Sequence, residues 1–80
     1  MDDGQISDRI DALVTEERRL WELEGRRQAG DAQRLRLGQV RAELDRCWDL
    51  LRQRRALEEF GLDPDSASPR RADVVEGYRQ

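Results

Sequence analysis

The chain has 80 residues, with 15 basic against 18 acidic side chains, a net charge of −3 and 36% hydrophobic residues. Every cation is an arginine, His, Lys and Asn are absent, and Cys47 is the single cysteine. These absences remove the commonest general base and metal ligand, lysine Schiff-base and P-loop chemistry, an intrachain disulfide and a thiolate zinc site. What remains is one small domain, expected to be no enzyme and to need no cofactor or metal.

From the N-terminus, Ile6, Ile10, Leu13, Val14, Leu20, Trp21 and Leu23 recur at steps of three and four, which predicts an amphipathic helix over about 4–26. Asp2 with Gln5 three residues later has capping-box spacing, and Asp3 is an equally good N-cap. The rhythm ends at Glu24, residues 25–30 supply a break, and Asp31 is placed to cap a second helix over about 31–60. There Leu35, Leu37, Val40, Leu44, Cys47, Trp48, Leu50, Leu51 and Leu57 form one broad apolar face. Gly61 suits the left-handed position after that helix, which would bring Leu57 and Leu62 together in a Schellman motif, and Pro64 prevents continuation. Residues 62–80 then read as an extended tail, set apart from a hairpin over 1–61.

The two helices are expected to fold back on each other. Their seams both alternate steps of four and three. Antiparallel pairing matches Ile6 with Leu51, Ile10 with Cys47, Leu13 with Leu44, Glu17 with Val40, Leu20 with Leu37 and Glu24 with Gln33. One turn near Gln28 and Ala29 satisfies every layer, and a slip of one residue breaks all of them. Charge agrees: residues 2–17 hold six acids against Arg9 alone, while Arg46, Arg52, Arg54 and Arg55 outnumber Asp49 over 46–55. The basic stretch also suits the negative end of its own helix. The fold class is thus all-α, an antiparallel two-helix coiled-coil hairpin with an extended C-terminal tail. So short a chain has a marginal core, and pairing into a dimeric four-helix bundle is the expected remedy.

The run Cys-Trp-Asp-Leu-Leu-Arg-Gln-Arg-Arg-Ala at residues 47–56, Asp63-Pro64-Asp65, and Val74-Val75-Glu76-Gly77-Tyr78 near the end together resemble an uncharacterised actinobacterial family of short proteins with a domain of unknown function. The likeness spans the whole chain, and its most specific part is the ten-residue run. The resemblance implies a helical hairpin of bacterial cytoplasmic origin and carries no activity.

Candidate functional residues are of surface type. Arg52, Arg54 and Arg55 could clamp carboxylates or phosphates; the plainer reading is a solvated helix end paired with the acidic start of the first helix. Nucleic-acid binding through these and Arg70 and Arg71 is disfavoured by the acidic balance. Cys47 lies on the seam and reads as a small buried hydrophobe. Trp21 and Trp48, each one residue past a seam position, read as packing anchors rather than a ligand cage, and their flank is where a dimer contact or a docked tail is expected. Val74, Val75 and Tyr78 either pack back over Trp48 or Leu57 or form a free docking peptide. No stretch approaches the roughly 20 apolar residues of a membrane span, and the acidic start lacks a signal-peptide n-region. The expectation is therefore a cytoplasmic, self-associating interaction or adaptor module, with a homodimer, an unidentified protein partner and no membrane contact.

Overall fold

The computed structural model describes residues 1–70; the expectations placed on Arg71, Val74, Val75 and Tyr78 lie outside the described residues. Two helices, α1 over Asp3–Gly25 and α2 over Asp31–Glu59, pack against each other and are followed by a 3-10 turn at Pro64–Ser66. No strand occurs among the described residues.

Asp2 is the N-cap of α1. Its carboxylate accepts the Gln5 N–H at 2.8 Å, while the Gln5 side chain accepts the Asp2 N–H at 2.9 Å, so two otherwise unpaired donors are satisfied reciprocally. At α2 the sequence expectation needs correcting. Gly30, not Asp31, is the N-cap, and Asp31 is the first helical residue. The Gln33 side chain accepts the Gly30 N–H at 2.9 Å, and Asp31 acts only as an acidic first-turn residue.

Both helices end in the same hydrogen-bond pattern. At α2, Leu62 N–H donates to the Leu57 carbonyl and Gly61 N–H to that of Glu58, with Gly61 at φ 70°, as a Schellman motif requires. At α1, Gln28 N–H donates to the Leu23 carbonyl and Arg27 N–H to that of Glu24. The left-handed residue there is Arg27 at φ 57°, so neither Gly25 nor Gly30 makes the turn. The last turn of α2 holds Glu58 and Glu59 and no basic residue; the arginines lie further in and do not complement the helix end.

Ile6, Ile10, Leu13 and Leu20 of α1 meet Leu37, Val40, Leu44, Leu50 and Leu51 of α2 in one buried cluster. Val14, Leu23, Cys47 and Ala67 pack against it half-buried. Cross-helix ion pairs report the antiparallel register. Arg9 with Glu43 and Glu16 with Arg36 lie along one flank; Glu17 with Arg41 and Glu24 with Arg34 lie along the other. Leu35, counted on the apolar face from its spacing, points to solvent, because it stands midway between the seam positions Gln33 and Leu37 and so on the side of α2 away from α1. Among the described residues no helix is long and apolar enough to cross a membrane.

Candidate interaction surface

The register continues one layer beyond Ile6 and Leu51 and opposes Asp3 to Arg54. Arg54 is only 6% exposed. Its guanidinium donates to Asp3 at 2.5 Å, to Asp65 at 2.9 Å and to the Pro64 carbonyl at 3.2 Å. One side chain thus joins the start of α1, the end of α2 and the 3-10 turn, and both carboxylates push its pKa further up. Asp63 caps that turn by accepting the Asp65 N–H. Further along, the Gln53 amide donates to the Ser68 carbonyl at 3.1 Å and to Asp49 at 2.9 Å, and Arg70 approaches Asp49 at 3.5 Å. Asp49 is 5% exposed, and its pairing with Gln53 and Arg70 answers the cost of burying a carboxylate. Residues 62–70 are therefore strapped along α2 beside Leu50, Gln53, Ala56 and Leu57, not extended into solvent.

This strap runs along the flank that also carries Arg9–Glu43 and Glu16–Arg36. The Glu16–Arg36 pair is bidentate, with both N–H···O bonds at 2.8 Å. Its geometry holds the Glu16 carboxyl below the usual carboxylate value and raises the Arg36 guanidinium. Cys47 lies half-buried at the floor of this flank, near Arg9, Glu43, Leu50 and Pro69. Burial, with the Glu43 charge second, pushes its thiol up, so little of it is thiolate at neutral pH.

Among the described residues the opposite flank carries the Glu17–Arg41 and Glu24–Arg34 pairs but no strap. Trp21 and Trp48 remain 55% and 42% exposed, on the flank where a dimer contact or a docked tail was expected. Their positions just beyond the seam aim them outward, and two helices provide nothing to cover them. Arg41 stacks over the Trp21 ring at 4.9 Å from its centroid, a cation–π contact. Trp48 walls an open groove of about 400 Å³ with Val14, Glu17, Arg41, Leu44 and Asp45. The described part of the tail occupies the other flank, away from this groove.

The cluster of Arg52, Arg54 and Arg55 is split. Arg52 and Arg55 are exposed, while Arg54 faces inward with its donors taken. Spacing on its own treated the three as one patch, and the seam register was the signal that separates them. Asp49, Gln53, Arg36 and Asp65 were given no pairing role from the sequence, because their roles depend on where the tail lies and on which side of the seam each arginine falls.

Comparison with known proteins supplies no activity. The chain is 62% identical over 42 residues to uncharacterised proteins of Mycobacterium bovis and of Mycobacterium tuberculosis. The match covers 52% of this chain, and the chain spans about half (48%) of the length of those relatives. No solved structure matches it. The family model described as a protein of unknown function (DUF2630) matches residues 2–80, and the chain belongs to that family.

Proposed function

We propose that the chain is a non-enzymatic, self-associating interaction module of the cytoplasm, whose uncovered flank closes on a second copy to make a four-helix bundle and whose basic end offers Arg52 and Arg55 to a protein partner. The observation that carries this is the exposure of both tryptophans on one flank of a hairpin whose other flank is already strapped. Each half-exposed indole has roughly 100 Å² still to remove from water. Four of them in a pair of hairpins give on the order of 10 kcal/mol before the cost of association, itself about 4–15 kcal/mol. The balance, at most about 6 kcal/mol, corresponds to a weak dimer no tighter than tens of micromolar.

The non-enzymatic part rests on chemistry. No imidazole or lysine amine is present, burial raises the pKa of the thiol, and Asp3, Glu16, Glu17 and Glu43 are each bound to an arginine. Nucleic-acid binding gains nothing from the geometry, since Arg54 is held by two aspartates and Arg70 by Asp49. Light scattering across low micromolar to millimolar protein tests the reading. Mass should rise from one chain to two across that range; a single-chain mass throughout would sink it.

A further inference from the structure

We infer that the second copy docks on the Trp48 groove about a two-fold axis perpendicular to the long axis of the hairpin, crossing the flank at the level of Val14. This deepens the proposed self-association by assigning its surface and its orientation. In the antiparallel register, residue levels along the two helices are fixed by the seam, at about 1.5 Å per residue. On this flank α1 presents Ser7, Asp11, Val14, Arg18 and Trp21, one or two positions past its seam. By the same rule α2 presents Asp31, Arg34, Gly38, Arg41, Asp45, Trp48, Arg52 and Arg55.

A perpendicular two-fold at Val14 sets that residue against itself. It brings Trp48 onto Gly38 of the second copy and Trp21 onto Ser7, a bulky ring over a small residue in both cases. It also opposes Asp11 to Arg18, Asp45 to Arg41 and Asp31 to Arg55, each match occurring twice by symmetry. The single like-charged match is Arg52 with Arg34; Arg34, Asp31 and Arg41 each also hold an ion pair within the chain. A two-fold running along the hairpin instead opposes Asp11 to Asp45, sets Arg18 over Gly38 and makes none of these opposite-charge matches. Charge therefore selects the perpendicular axis.

Gly38 supports the assignment independently. It lies inside α2, where glycine disfavours the helix, and a Cβ added there meets nothing within 4 Å. Nothing within the hairpin calls for a glycine at this position. An indole arriving from a second copy does, because only a bare backbone lets the ring lie flat on the helix.

The test uses the full chain. In a Cys47→Ser background, Val14→Cys should oxidise readily to a disulfide-linked dimer, while Ser7→Cys, far from its own mate, should not. Gly38→Leu leaves the single hairpin folded, since the space is open, and should weaken association at least about tenfold by light scattering. Asp11→Arg should weaken it, and Asp11→Arg with Arg18→Asp should restore it. A dimer that neither cross-links through position 14 nor responds to Gly38→Leu overturns this surface while self-association stands. A single-chain mass at every concentration removes both.

Discussion

The two flanks of the hairpin are built to different ends. One is finished within the chain: the strap over 62–70 lies beside Leu50 and Leu57, Arg54 ties three segments together, and Glu16–Arg36 closes with two parallel bonds. The other carries two exposed indoles, an open groove and an interior glycine with no intrachain neighbour. Side chains that stabilise the single hairpin are concentrated on the first, and features that cost it stability without return are concentrated on the second. That asymmetry is what supports the second flank as the proposed interaction face.

The sharpest way to break the comparison is to truncate one apolar side chain on each flank. Leu50→Ala on the strapped flank, where Leu50 is 7% exposed, should cost about 2–4 kcal/mol in urea denaturation. Trp48→Ala, studied at dilutions where only single chains are present, should cost less than about 1 kcal/mol despite removing the larger side chain. Equal costs would mean that Trp48 is packed within its own chain.

Arg54→Met should leave the hairpin helical and release the strap, since Asp65 and the Pro64 carbonyl lose their shared donor. Limited proteolysis reads this directly: cleavage over 62–70 should accelerate severalfold, while cleavage within α1 should not change. Unaltered cleavage would show that apolar contact through Ala67 and Pro69 holds the strap unaided.

The helix ends sharpen the picture at a smaller scale, because the same motif is made with and without glycine. Gly61→Ala should lower stability by about 1 kcal/mol, as a side chain is forced to φ 70°. Arg27→Gly should raise it by about 0.5–1 kcal/mol, relieving φ 57° at an exposed position. Thermal melts of the two variants should therefore move in opposite directions.

The smallest effect is electrostatic. The folded-state pKa of Glu16 is depressed by Arg36, so its contribution is present above the unfolded-state value and is lost as pH falls through the depressed folded value. Glu16→Gln should remove that part of the acid-side decline and leave stability above about pH 6 little more salt-sensitive than before. A stability profile with the same acid limb in the variant would contradict the pairing.

Much of this architecture was legible in the sequence. The alternating seam gave the antiparallel pairing, because period and charge fixed the same register, and Gly61 with Leu57 and Leu62 marked the end of α2 by a rule that involves few residues. The turn was less readable: Arg27 takes a conformation usually left to glycine, with two glycines nearby that look better suited. That the tryptophans stand off the seam was legible, because each lies one position past it; periodicity reports which residues share a face, and not whether the chain has enough structure to cover it. Asp49 and Arg54 were opaque for the converse reason, as charged residues become buried only when a distant segment, here Asp65 and Arg70, arrives to pair with them.

Acrylamide quenching of tryptophan fluorescence, followed on dilution to the single-chain mass, tests the asymmetry of the flanks most directly. Both indoles should be freely quenched and emit at long wavelength in the dilute single chain, with protection appearing only as mass doubles. Blue-shifted, protected emission from a chain that is demonstrably single would contradict it, for the tryptophan flank would then be covered by the protein's own residues.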